Sequence, residues 1–299
     1  MTDASSFALG LLTAVFWSLG EFFSKRGVKE AELLTASLGM QITGALGVGL
    51  FSLVSAFAFP GIFHSFLPAA STPLTVPFWQ SFLVGCVAIT GVAFCYRSYK
   101  LAPLAIASPI VNSKGMFAAL VAWVFLSEQA GIPVALGALG CGLGAAFMGM
   151  ENGGAAGKFF VPGVGSAAVA AVLYGFAMTF SKVPAAAAGA GFTVVSIRVG
   201  AFCLMFLLVL FSLGWKGLLP PRRVWGSFLL MGLFDAAGHI AFITGLTRGT
   251  AFIVSTLAAL SPVLTVVLAV AFYRERLSAR QWGGFALVGG GLLLLARAS

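Results

Sequence analysis

Apolar residues run through this chain in long unbroken blocks, and short polar clusters separate them. Ten blocks can be read: 7–25, 33–59, 78–99, 103–126, 131–150, 163–181, 191–213, 224–246, 251–273 and 279–296. A helix needs about 20 mostly apolar residues to cross a hydrocarbon core roughly 30 Å thick, so each block predicts one transmembrane helix. The breaks carry turn residues. Lys25-Arg26-Gly27 closes the first block, Pro60, Pro68, Pro73 and Pro77 fill the second break, and Glu151-Asn152-Gly153-Gly154 ends the fifth block. Pro220-Pro221-Arg222-Arg223 precedes the eighth. A transmembrane β-barrel would instead show roughly ten-residue stretches of alternating polarity, which excludes that class.

The pattern also repeats. At a shift of 147 positions, Gly91 falls on Gly238, Ser108 on Ser255, Phe125 on Phe272, Glu128 on Glu275, Gly137 on Gly284, Gly142 on Gly289 and Gly144 on Gly291. At a shift of 157, Ala14-Val15 meets Ala171-Val172, Ser24-Lys25 meets Ser181-Lys182, and Trp17 falls on Tyr174. Isolated identities between apolar sequences arise by chance; the shared order of helix, Glu and Gly-rich helix carries the argument. The expected architecture is an all-α integral membrane protein of ten transmembrane helices, built as two five-helix repeats. Residues 1–150 form the first, 151–162 a linker and 163–299 the second. An odd number of spans per repeat puts the halves in opposite orientations, as in many secondary transporters, whose sites lie at the midplane between the halves.

Three stretches carry a family resemblance: Trp17 followed by Lys25, the helix end Phe125-Leu126-Ser127-Glu128, and Ser261-Pro262-Val263-Leu264 running to Phe272-Tyr273-Arg274-Glu275-Arg276-Leu277. Together they resemble the drug/metabolite transporter superfamily, most closely its ten-span EamA type, over essentially the whole chain. The resemblance implies passage of small molecules such as amino acids, other metabolites, choline-like cations or phosphorylated sugars through a central cavity. These short motifs carry the fold and not the substrate. The sequence departs from the family pattern at Lys114, a charge inside the fourth span where many members have little.

Composition agrees with the membrane reading. Charged residues are 8% of the 299 and apolar types 60%, against about 25% and roughly 45–50% in soluble domains. The net charge of +9 is not a nucleic-acid signal, because the basic residues form no stripe and sit in small groups between spans. The loops after the odd-numbered spans hold 12 basic residues and the opposite side 3. The positive-inside rule then puts the 12 in the cytoplasm and both termini outside, in a multi-pass protein of the cell inner membrane. The N-terminus has no basic n-region or small-residue cleavage site, so its apolar segment is expected to stay as a span. Cys86, Cys95, Cys141 and Cys203 lie within spans, without metal-ligand spacing, and read as small core hydrophobes.

The candidate chemistry lies in charges placed inside spans: Glu21, Lys114, Arg198, Asp235 and His239. A charge near the bilayer centre costs at least about 2.5–3.5 kcal/mol on insertion scales, so such groups face a partner or a water-filled cavity. Trp17, Glu21 and Lys25 share one helix face, and so do Asp235 and His239. Two acids and two bases suit a zwitterion, its amine meeting Glu21 or Asp235 and its carboxylate Lys114 or Arg198. Trp17 and Tyr174, at matched repeat positions, would line the cavity. Each residue also has a structural alternative. Glu21 could snorkel or pair with Lys25, Lys114 could form a fixed ion pair with Asp235, Arg198 could snorkel, and His239 could be a hydrogen-bonded structural residue or couple to protons. Glu128 and Glu275, at matched span ends, read as helix caps or loop contacts. The glycines of the fifth and tenth spans permit close helix contact.

No phosphate-binding loop, zinc-protease motif or large soluble domain is present in the sequence, so neither an enzyme nor an ATP-driven pump is expected, and no cofactor. The expectation is a secondary transporter of a small polar metabolite, an amino acid or similar zwitterion first, with the lipid bilayer as its medium and protons as a candidate coupling ion. Monomer and homodimer fit equally. The alternatives are an organic-anion or phosphate-ester exchanger using Lys114 and Arg198, and a lipid head-group flippase or a membrane scaffold without transport activity.

Overall fold

The computed structural model describes residues 2–58, 73–125, 131–150, 161–218, 220, 222–248, 257–258 and 260–298. The first span is α1 (Thr2–Glu30), the second α2 (Leu33–Ala58) and the third α3 (Thr75–Leu101). The fourth is broken into α4 (Leu104–Asn112) and α5 (Lys114–Phe125), and the fifth is α6 (Ile132–Gly149). In the second half, α7 (Val164–Ala188), α8 (Ala190–Gly217), α9 (Trp225–Arg248), α10 (Ser261–Tyr273) and α11 (Ala279–Ala298) follow the same order. Among the described residues, the first eight spans are each long and apolar enough to cross a bilayer on their own; α10 has 13 described residues, and α11 completes the set of ten.

The chain is an all-α membrane protein of two related halves, and its packing has the symmetry of the repeat. Helix α1 packs along α9 as α7 packs along α3; α2 meets α9 as α8 meets α3. The pairs α2 with α8, α4 with α10 and α6 with α11 meet each other across the pseudo-twofold. Five spans per half make the two halves inverted. At the α6–α11 contact the backbones nearly touch: a Cβ on Gly284 would lie 2.7 Å from the carbonyl of Gly144, and one on Gly291 would lie 2.6 Å from that of Gly137. The outer surface is apolar, as lipid contact requires, with Phe57, Phe211, Ile132 and Trp215 all strongly exposed.

With no water in the hydrocarbon, polar side chains within spans bond to backbone carbonyls. Thr13 donates to Leu9 at 2.8 Å, Ser18 to Ala14 at 2.6 Å and Ser24 to Gly20 at 2.7 Å. The same need explains a difference from the expected boundaries. Lys25-Arg26-Gly27 does not end the first helix, which continues to Glu30. Lys25 is only 4% exposed, and its ammonium donates to the carbonyl of Ala102. A charge satisfied by a neighbouring span has no need of a helix end.

Candidate functional site

The site is organised by the break in the fourth span. The helix passes through Pro109, whose carbonyl accepts from Ser113 N at 3.0 Å, and breaks at Ser113, which relaxes to φ −66°, ψ 2°. Lys114 therefore opens a new helix rather than sitting inside a continuous one, a correction to the mid-helix position expected from the sequence. The ninth span behaves alike. Leu260, the repeat equivalent of Ser113, sits at φ −80°, ψ −6°, and α10 begins at Ser261, the equivalent of Lys114. At the Lys114 position the second half thus supplies a serine, whose carbonyl accepts a bond from Ser18 at 2.8 Å.

Two repeat-matched aromatics bracket the Lys114 ammonium. Its Nζ lies 5.7 Å from the Trp17 ring and 5.5 Å from the Tyr174 ring. Each ring is seated on a repeat-matched glycine: a Cβ on Gly238 would come within 2.6 Å of the indole Nε1, and one on Gly91 within 3.2 Å of the Tyr174 ring. The indole N–H is buried without a hydrogen-bond partner among the described residues. No carboxylate lies within ion-pairing distance of Lys114 among the described residues. Two cation–π contacts of about 0.5–2 kcal/mol each are comparable to the insertion cost of the charge, so the ammonium is tolerated here without a fixed counter-ion.

The alternative of a Lys114–Asp235 ion pair is overturned, because Asp235 is engaged elsewhere. Its Oδ2 accepts from Arg198 Nη2 at 2.5 Å, and its Oδ1 lies 3.4 Å from His239 Nδ1. Arg198 also donates to Gln41 Oε1 at 3.2 Å. Its side chain is only 14% exposed, so it does not snorkel to an interface. His239 Nδ1 is 2.9 Å from the Asp235 carbonyl, and its ring meets Trp17 edge-on with centroids 5.4 Å apart. Trp17 therefore touches both the Lys114 ammonium and the Asp235–His239 face.

Glu21 neither snorkels nor pairs with Lys25. Its carboxylate accepts from Asn112 Nδ2 at 2.8 Å, from Thr265 Oγ1 at 2.9 Å and from Ser108 Oγ. Those donors come from α4 and α10, one broken span of each half. Three neutral donors and no cation within 4 Å leave Glu21 a hydrogen-bonded but uncompensated anion among the described residues. Sequence reading missed Ser108, Asn112 and Thr265, since hydroxyls and amides are common inside spans; Pro109 beside Ser108 was the available signal.

Glu275 is a cap, as its position suggested, but of a helix in the other half: its carboxylate accepts from Leu104 N at 2.9 Å and Ala105 N at 2.7 Å. Glu128, its repeat partner, lies outside the described residues. A surface pocket of about 530 Å³, lined in part by Lys29, Glu32, Lys100 and Lys216, opens on the face of the basic loops and includes none of the seven candidate residues. Among the described residues no group of three His, Cys, Asp or Glu side chains could hold a metal ion. Cys95 and Cys141 are buried; Cys86 and Cys203 are half-buried.

Residues 4–150 and 161–297 each match the EamA-like transporter family. The chain belongs to that family. A curated relative from Sinorhizobium sp., described as an uncharacterized transporter in the cobO 3' region, is 32% identical over 118 residues, which is 39% of this chain and 84% of that protein. A solved structure titled only as the crystal structure of a protein superposes with a TM-score of 0.61 at 20% identity, covering 97% of this chain and 96% of that one. That likeness shows the fold alone. This EamA-like protein is accordingly a multi-pass membrane transporter and not an enzyme. Among the described residues its central charges divide into an ion pair, Arg198 with Asp235, and two side chains without an ion partner, Lys114 and Glu21.

Proposed function

We propose that this transporter moves a small zwitterion, an amino acid or close analogue, across the cytoplasmic membrane by alternating access between its two halves. The observation that carries the reading is the pair of open charges of opposite sign. Among the described residues, Lys114 lies between Trp17 and Tyr174 with no carboxylate partner, and Glu21 is held by three neutral donors with no cation within 4 Å. A substrate carboxylate about 4 Å from Lys114 gains roughly 4 kcal/mol at an effective dielectric of 20, enough to bind it selectively. The substrate amine takes Glu21. Asp235, Arg198 and His239 form a preset polar wall that orients Trp17.

An exchanger of organic anions or phosphate esters would need Arg198 beside Lys114. The engagement of Arg198 by Asp235 and Gln41 argues against that reading. Protons are the proposed coupling ion, with the central carboxylates as carriers. The test is counterflow in proteoliposomes with amino acids, organic phosphates and quaternary amines as separate panels. Exchange confined to amino acids and lost in Lys114→Ala is expected. Exchange of phosphate esters alone would overturn the zwitterion reading, and no counterflow of any panel would overturn transport of small solutes altogether.

A further inference from the structure

Two charges outside the central site converge on one four-residue turn. Ala102 ends α3, Pro103 follows, and Leu104 and Ala105 begin α4. Lys25, from α1, donates its ammonium to the Ala102 carbonyl, where the α3 dipole is negative. Glu275, from the loop after α10, places one carboxylate oxygen on Leu104 N at 2.9 Å and the other on Ala105 N at 2.7 Å, where the α4 dipole is positive. Pro103, at the cap position of α4, has no side-chain donor or acceptor to do this itself.

The Glu275 contact crosses from one half of the transporter to the other. It is aimed by Arg274, which adopts φ 53°, ψ 32°, the left-handed region, as no other non-glycine does among the described residues. That conformation costs a non-glycine side chain energy, so the surrounding contacts must hold it. Just before it, Tyr273 donates to the Phe22 carbonyl at 2.9 Å, and its ring stacks on that of Phe22. From the first turn of α4, Ser108 and Asn112, the donors to Glu21, follow about one and two turns on. Glu275 therefore sets the position of the half-helix that reaches the central site.

We propose that Glu275 is the latch of the face that carries the basic loops: it is seated on the 102–105 turn while that face is shut and leaves it when the face opens, while Lys25, from the same half as the turn, holds the turn in the position that receives it. Glu275 is a positioning residue, acting through α4 and touching no substrate. The inference rests on the alternating-access part of the proposed function and is independent of the substrate. Between halves that must separate, two charge-assisted bonds on a helix N-terminus hold the contact when made and, unlike packed side chains, can be replaced by bonds to water when broken.

The test is the reactivity of the thiol introduced by Ala105→Cys, at a position fully buried behind the latch. The Ala105→Cys protein, alone and combined with Glu275→Gln or Lys25→Gln, is reconstituted in nanodiscs without substrate, treated with a charged thiol reagent and read by peptide mass spectrometry. Native Cys141, buried between α6 and α11, is the internal control. The expected result is that the introduced thiol reacts about tenfold faster or more in either Gln variant, the factor for losing one charge-assisted bond, while Cys141 does not change. Glu275→Asp, which keeps the charge, should slow the reaction back toward the level of the intact latch. Equal rates at the introduced thiol in all forms would overturn the latch. So would a parallel rise at Cys141, which marks general loosening, or failure of both Gln variants to fold, which marks scaffold contacts. None of these outcomes depends on which solute is carried, so the latch and the zwitterion reading fail separately.

Discussion

Replacing Arg198 by Gln leaves the Asp235 carboxylate in the bundle with His239 as its nearest titratable neighbour. The ion pair is 2.5 Å long, with side chains 14% and 25% exposed, so it is largely but not wholly removed from solvent. Breaking a buried pair from one side costs roughly 3–5 kcal/mol, and the residual exposure puts this case near 3 kcal/mol. For a chain of 299 residues unfolding as a unit, that corresponds to a fall in melting temperature of roughly 5 °C. Asp235→Asn alone strands the guanidinium and should cost a similar amount. The double variant Arg198→Gln with Asp235→Asn replaces the pair by two amides able to bond to each other and to Gln41, and should recover most of the loss. With about 3 kcal/mol lost in each single variant and about 1 kcal/mol in the double, the coupling energy read from the four melting curves in detergent is about 5 kcal/mol. Lys114→Gln combined with Asp235→Asn provides the contrast: among the described residues these two are not in ion-pairing contact and act on each other only at longer range, so their coupling should be far smaller. Additivity in the first cycle, or a coupling in the second as large as in the first, would refute the assignment of Arg198 as the partner of Asp235.

The other predictions follow from the same geometry. Lys114→Ala should abolish counterflow while the melting temperature stays within about 2 °C of wild type, since no fixed partner is stranded; a large thermal loss would mark Lys114 as structural. Tyr174→Phe keeps the ring under the ammonium and should leave KM nearly unchanged, whereas Tyr174→Leu removes a contact of about 0.5–2 kcal/mol and should raise KM roughly 2- to 30-fold. Gly284→Val forces a Cβ to within 2.7 Å of the Gly144 carbonyl; spreading α6 from α11 should cost about 1–3 kcal/mol or more, seen as reduced yield and a lower melting temperature. Cysteines introduced at Thr2 and Ser299 should react with an impermeant reagent in intact cells while one at the exposed Arg276 does not, as the basic loops predict; the reverse pattern would invert the orientation.

Much of this transporter was written into its hydrophobic pattern. A bilayer leaves a chain few options: each apolar block of about 20 residues must become a helix, so the number of spans, the repeat and the inverted halves are legible without coordinates. The in-span charges could also be picked out as special, because their cost in hydrocarbon is a property of the residue and not of the fold. Who pairs with whom was a different matter. Asp235 chose Arg198 over Lys114, Glu21 took three neutral donors over Lys25, and Lys25 and Glu275 met on the turn at 102–105. Each of these contacts joins separate helices, most of them distant in sequence, and pairing inside a membrane depends on depth and rotation about the helix axis to within an ångström or two. Hydropathy fixes neither. The break at Ser113 likewise belongs to the bundle: no residue there forbids a helix, and the bend that delivers Lys114 between Trp17 and Tyr174 is seen only in the span packed against α10 and α7.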